Sequence, residues 1–295
     1  MGSTQVLSGH HVMFKFLLPW LSWGIFVFII SVAAIFIRLR IRSRQTSAVD
    51  HKIKVFQLSK VGSSLLDCED AFEVSSDNKR IAVADGVSQS FAAQIWAQKL
   101  VKSLVLGQNN QDLENLISTT ATDWKITVDT LMGPEATWNI KKKAEDGAQA
   151  TFVSVALEDI EDSLAWHAEL IGDSIVVEIV STVNGPEKVT VYPPNYSEIL
   201  EQNPETVSSQ KPFIRGTIYR HNGKLSKGSQ LLVMTDALAK FLSKSLTFGV
   251  SITAVFPFLF DAKELQDSSF ETWVDHQRPK DLDDDDLTLV HVVYG

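Results

Sequence analysis

The sequence predicts an α+β sheet sandwich. Three observations carry this reading. Apolar runs of strand length recur along the chain. Two of them are separated only by Gly172 and Asp173, the spacing of a hairpin. Amphipathic helical stripes are few and do not alternate regularly with the strands, which excludes a doubly wound parallel sheet.

The elements follow in order. Ile81–Gly86 is a short buried-type strand ending in Asp-Gly. Ser88 is placed to cap the next helix, in which Phe91, Ile95, Trp96, Leu100 and Leu104 recur at helical spacing. Residues 107–146 are more polar and read as helix with loops. Ala150–Leu157, Leu164–Ile171 and Ser174–Val180 read as strands, the last two forming the predicted hairpin. Residues 183–229, rich in Pro, Gly, Asn and Ser, are the least regular. Gln230–Thr235 is a buried-type strand, the eleven residues from Asp236 a helix, and Leu287–Val293 a closing strand.

A different solvent is written into residues 16–37. Phe16–Ile37 carries no charge over 22 residues, enough to cross a bilayer of ~30 Å hydrocarbon. Trp20 and Trp23 sit near one end, as interfacial aromatics do. Arginines, not a small-residue cleavage site, follow it, so a transmembrane helix is expected rather than a signal peptide. The predicted division is a tail at 1–15, the membrane helix at 16–37, a basic linker at 38–50 and a soluble domain at 51–295. Arg38, Arg40, Arg42 and Arg44 lie after the span and only Lys15 before it, which places the body in the cytoplasm and offers the four arginines to anionic lipid. The start, with Val6 where acylation needs Ser or Thr, predicts no myristoylation.

Residues 50–295 hold 22 basic residues against 36 acids, a net charge of −14. That excludes a phosphate-backbone binder and so nucleic acid as a partner, and it suits cations. The single cysteine, Cys68, excludes an intramolecular disulfide.

The acids recur in one local design, an apolar run and then an Asp. Glu69 and Asp70 lie in "LDCEDAF", Asp85 in "VADGVS", Asp173 in "IGDSIVV", Asp236 in "VMTDALAKF", and Asp283–Asp286 precede the closing strand. Taken singly, such an Asp is a turn former or a helix cap. Brought together at the ends of strands, such carboxylates repel one another unless cations occupy the site. Oxygen donors without His or Cys select Mg²⁺ or Mn²⁺ over zinc, and Gly86 admits close approach of its backbone.

Six segments, in order across residues 57–293, resemble the motifs of the metal-dependent serine/threonine protein phosphatases, the PPM or type 2C family, and a bacterial subgroup of it in particular. "CEDAF" is similar to that family's "NEDAF", "VADGVSQS" to "VADGVGG", "GAQATFVSVAL" to its "GSTA" strand, "IGDSIVV" to "GDSR", "LLVMTDALAKFL" to "SDGLWD" and "DDLTLV" to "DNxTxV". The resemblance implies a four-layer αββα sandwich of two antiparallel sheets flanked by helices, with two or three Mn²⁺ or Mg²⁺ ions in a cleft at one end. It implies that Asp85 bridges two ions and that the Gly86 carbonyl joins one of them. Glu69 would support that ion, with Asp70 acting through water, and Asp236 and Asp285 would hold the other. Asp173 would help hold a third. The implied activity is hydrolysis of phosphoserine and phosphothreonine on proteins by a metal-activated bridging water, with no protein nucleophile. Asp286 takes the family's Asn position. Asp283 and Asp284 are expected to be solvated, or one hydrogen bond removed from the ions.

The sequence departs from the family in three places. Leu65 stands where many members carry a phosphate-gripping arginine, Ile175 follows "GDS" in place of Arg, and Ala237 replaces Gly. Arg80, Arg215 and Arg220 are candidate replacements for the lost clamp. His167, in mid-strand, reads as structural. The enzyme reading therefore stands beside a second, a catalytically inactive phosphatase-fold module that binds a phosphoprotein or regulatory partner at the membrane. A calcium-binding structural domain is a weaker third, since no EF-hand loop is present.

Overall fold

Strands buried on both faces organise the molecule. The structure, a computed structural model, describes residues 51–107, 112–180, 187–260 and 267–295. The tail, the membrane helix of 16–37, the basic linker and its four arginines lie outside the described residues. Among the described residues no helix is long and apolar enough to cross a membrane.

The first sheet has the order β1 (His51–Leu58), β12 (Leu287–Tyr294), β11 (Gln230–Met234), β6 (Ile175–Val180) and β7 (Lys188–Tyr192). The second runs β10 (Tyr219–Leu225), β5 (Ser163–Ile171), β4 (Gln149–Ile160), β3 (Arg80–Gly86) and β2 (Asp70–Val74). Two short strands, β8 (Thr206–Ser208) and β9 (Ile214–Arg215), extend it, β8 pairing with β4. All pairings are antiparallel.

Three separate apolar clusters define four layers. Between the sheets, Val176, Leu231, Val233, Val290 and Val292 meet Val153, Val155, Trp166 and Leu170. Outside the first sheet, Val177, Leu232, Met234 and Leu289 pack against α5 (Asp236–Thr247), α6 (Ile252–Val255) and α7 (Asp267–Gln277). Outside the second, Ala82, Ala84 and Phe152 pack against α1 (Ala93–Leu106) and α2 (Leu113–Met132). Successive side chains of a strand point to opposite faces. In β11, Leu231 and Val233 therefore enter the inter-sheet core, while Leu232 and Met234 lie under helices. Two short helices, α3 (Trp138–Asp146) and α4 (Tyr196–Ile199), complete the order.

Two local expectations are corrected. The Gly172–Asp173 step does not close a hairpin. β5 belongs to the second sheet and β6 to the first, so this step carries the chain between layers. The hairpin is β4–β5, turning through Glu161 at φ 49° and Asp162. Gly172 takes φ +90°, and a Cβ there would lie 2.4 Å from Thr151 Cγ2, so the chain leaves the sheet where only glycine fits. Ser88, for its part, does not cap a helix. A turn closed by Ser90 N–H on the Val87 carbonyl intervenes, and α1 starts after Ala92, at φ 53°.

Candidate metal centre

Antiparallel pairing decides where the acids go. β3, β5 and β11 end at one end of the sandwich, and β2 and β12 begin there. Asp85 closes β3, Asp173 follows β5, Asp236 follows β11, Asp70 opens β2 and Asp285 precedes β12. Asp70 and Asp85 are direct cross-strand partners.

Burial is the first cause that pushes the Asp85 carboxyl well above the usual carboxylate range. The charges of Asp70, Asp236, Asp173 and Asp285 follow. Burial also raises Asp70, opposed by hydrogen bonds from Thr235 and Thr288, while Asp236 and Asp286 add to the rise. Asp173 is pushed up to about 7 by burial and then by Asp236. Asp285 rises for the same first reason, with Asp236 and Asp286 contributing. These mutual effects place five carboxylates in one electrostatic neighbourhood.

Hydrogen bonds set the walls. Thr235 Oγ1 donates to Asp70 Oδ2 at 2.9 Å. Glu69 Oε2 accepts from Lys60 Nζ at 3.1 Å and from Ser88 Oγ. Gly86 donates its N–H to the Glu69 carbonyl at 3.1 Å. A Cβ on Gly86 would come to 3.0 Å from Ala93 backbone and side chain, so α1 packs on β3 closely enough to favour glycine there. Asp236 opens α5, and its carboxylate is paired with Lys240 one turn on, at 2.5 Å.

The acidic run resolves into separate jobs. Asp286, only 3% exposed, accepts the Lys60 N–H at 2.9 Å and the Glu69 N–H at 2.6 Å. It fastens the loop between β1 and β2 to the start of β12. Asp284 is exposed and accepts the Val61 N–H. Arg278, at the end of α7, donates through Nη2 to the carbonyls of Ser59 and Asp285 at 2.9 and 2.8 Å.

The donor set suits a hard divalent cation. It is all oxygen, and the buried Asp173 Oδ1 has no hydrogen-bond partner, an acceptor that a cation would satisfy. Among the described residues no three His, Cys, Asp or Glu side chains are drawn into a ready-made ligand cluster. Cys68 is buried, and burial pushes its thiol up, so it is not a thiolate nucleophile.

Comparison with solved structures gives the architecture a context. The serine/threonine phosphatase PstP/Ppp of Mycobacterium tuberculosis matches with a TM-score of 0.51 at 13% identity, covering 82% of this chain and 98% of that one. The serine/threonine phosphatase of S. agalactiae matches with 0.50 at 16% identity, over 82% and 100%. Stp1 of Staphylococcus aureus matches with 0.50 at 13% identity, over 86% and 100%. The fold is that of bacterial serine/threonine phosphatases. No protein-family model and no curated protein sequence matches the chain.

Within this phosphatase fold, Asp70, Asp85, Asp173, Asp236 and Asp285 come together, with Glu69 and Gly86 on the same wall. The three arginines named as replacements for the lost clamp do not gather there. Arg80 begins β3, five residues and about 17 Å of strand from Asp85. Arg220 is paired with Glu169 at 2.7 Å. Both line a separate cavity of about 950 Å³ on the outer face of the second sheet, together with His167. Arg215 lies in β9, at the sheet's extension. Sequence reasoning missed Lys60, Lys240 and Arg278. Lys240 was legible, since an Asp with a Lys four residues on is a helix ion pair. Lys60 and Arg278 carry no local signal, because their partners are 9 and 7 or more residues away.

Proposed function

We propose that the chain is a metal-dependent protein serine/threonine phosphatase, removing phosphate from phosphoserine and phosphothreonine. The observation that carries this reading is the convergence of five carboxylates from five strand ends, within a fold shared by bacterial serine/threonine phosphatases. In this reading two or three Mn²⁺ or Mg²⁺ ions are held by Asp85, Asp236 and Asp285, with Glu69, Asp70, the Gly86 carbonyl and Asp173 in support. Bound there, such ions lower the pKa of water and neutralise charge on phosphoryl oxygens.

The chain's own residues do the rest. A hydrogen bond from Thr235 Oγ1 fixes the Asp70 carboxylate, and pairing with Asp85 in the β2–β3 ladder fixes its backbone. Asp286 and Arg278 fix the backbone of the β1–β2 loop and of Asp285.

The experiment is an assay of the full chain, purified in detergent, on a phosphoserine peptide with Mn²⁺, Mg²⁺ or EDTA. Turnover should require the ion and should vanish in Asp85→Ala and Asp236→Ala. Turnover that persists in both variants sinks the reading. Leu65, half-buried where a phosphate-binding arginine would stand, favours the second reading, a phosphatase-fold module that binds a phosphoprotein without cleaving it. That reading predicts phosphopeptide binding with no phosphate release. The positive flank after residue 37 supports an anchored chain with this domain in the cytoplasm, which protease accessibility in sealed vesicles tests.

A further inference from the structure

The loop between β1 and β2 carries Glu69, and Asp70 opens the strand that follows it. The same loop holds two large apolar side chains in water. Val61 is 70% exposed and Leu66 63%. The other large apolar side chains exposed among the described residues lie on α1, α2, α3 and beyond the end of α5.

The exposure of Val61 and Leu66 is not that of a loose loop. Arg278 Nη2 donates to the Ser59 carbonyl at 2.9 Å, and Asp284 accepts the Val61 N–H at 2.9 Å. Within the loop, Ser63 N–H donates to the Lys60 carbonyl at 3.1 Å and Asp67 N–H to the Ser64 carbonyl at 2.9 Å. The Lys60–Glu69 ion pair, at 3.1 Å, closes its base. Backbone and polar groups hold the loop, and neither apolar side chain is needed for that. Apolar residues scattered singly over a surface need no partner. These two share one tied loop, with half-buried Leu65 between them.

Their place is set by the same bonds. Val61 hangs on Asp284, the residue before Asp285. Leu66 precedes Asp70 by four residues, so their Cα atoms lie within about 14 Å of each other. An extended peptide spans about 3.4 Å per residue. A substrate whose phosphorylated residue enters the carboxylate cluster therefore brings its near neighbours in sequence to this loop.

We infer that Val61 and Leu66 determine substrate specificity, selecting phosphopeptides with an apolar side chain within about four residues of the phosphorylated one. The inference rests on the proposed phosphatase reading and names the substrate class within it. The loop is continuous with the metal centre, which makes the phosphopeptide its occupant. Exposed Asp67 beside Leu66 and exposed Asp284 beside Val61 disfavour an anionic lipid surface.

The test measures kcat/KM of the full chain, purified in detergent with Mn²⁺, on phosphoserine peptides. The peptides differ only in Leu or Ser at positions two to four on either side of the phosphoserine. Anisotropy of the same peptides, fluorescently labelled, gives their affinity in parallel. The proteins are wild type, Val61→Ser, Leu66→Ser, the double variant and Trp138→Ser, each with its melting temperature. Leu at one or more positions should raise kcat/KM, through KM, about tenfold over Ser, the scale of burying about 60 Å² of apolar surface. Each single variant should reduce that ratio, the double variant should bring it to about one, and Trp138→Ser should leave it intact. No preference for Leu in the wild type, a ratio that survives in the double variant, or one lost equally in Trp138→Ser overturns the inference. A dimer of the wild type that becomes a monomer in the double variant, read by sedimentation, assigns the loop to a second copy and overturns it as well. Loop-dependent preference in binding without phosphate release keeps the peptide site and removes the hydrolase reading. Release without loop-dependent preference removes the inference alone.

Discussion

Asp70 and Asp85 stand directly opposite each other in the β2–β3 ladder, so their carboxylates project from the same face of the second sheet. Like charges placed so are destabilising, and both are driven by burial toward the neutral form. A hydrogen bond from Thr235 to Asp70 opposes this repulsion, while the charge of Asp286 adds to it. Without divalent ions, Asp85→Asn should therefore raise stability, by about 1 kcal/mol. The same change should abolish the gain in melting temperature that Mn²⁺ gives the wild type. Both are read in one thermal-denaturation experiment with EDTA or Mn²⁺. A variant less stable than wild type in EDTA would show that the pair is not strained.

Asp286 predicts a different kind of loss. It accepts two backbone N–H groups from the β1–β2 loop and is buried. Asp286→Ala strands both donors and should cost about 2–4 kcal/mol in urea denaturation. Asp286→Asn keeps one acceptor oxygen and should cost roughly half as much. If Asp286 were instead a direct ion ligand, Asn and Ala would fall together in Mn²⁺ affinity while differing little in stability.

Gly172 ties the crossover to the site. Its φ of +90° and the 2.4 Å that would separate a Cβ from Thr151 Cγ2 leave no room for alanine. Gly172→Ala should destabilise by at least about 2 kcal/mol. Because Asp173 is the next residue, the variant should also blunt the Mn²⁺-induced thermal shift. Retention of full stability would mean that the crossover can take another path.

The reading of the fold from sequence succeeded where strands were continuously apolar and failed where pairing depended on distant partners. The stretches around Ile81–Gly86, Ala150–Leu157 and Gln230–Thr235 are strands because both faces are buried, and a continuous apolar run records that. The Gly172–Asp173 step has the composition of a hairpin but joins two layers, because the partner of β5 in the chain's own sheet is β4, behind it. β1 went unassigned, although Ile53 and Val55 face the inter-sheet core between exposed Lys52 and half-buried Lys54. At the site, the acids were legible because each follows an apolar strand. Lys60 and Arg278 were not, since only the folded chain brings Lys60 to Glu69 and Arg278 to Ser59.

His291 gives the pH dependence. It lies in β12 between two strands, 3% exposed, and its Nε2–H donates to Gln230 Oε1 at 2.7 Å. Burial, with Lys54 adding, lowers its pKa to about 3. The unfolded chain's histidine titrates near ~6.5, so the folded state favours the neutral ring. That contribution is fully present above about pH 6.5 and is lost as pH falls toward about 3. The loss runs at roughly 1.4 kcal/mol per pH unit within the window. The site carboxylates act in the opposite direction, because their raised folded values make their contribution larger in acid. The histidine effect is therefore read as a difference. Urea midpoints of wild type and His291→Leu, measured in EDTA at pH 7 and pH 4.5, should converge or cross as pH falls. The variant loses the Gln230 bond at both pH values, but only the wild type must bury a proton-seeking ring. Parallel pH profiles for the two proteins would show that His291 takes up its proton without cost.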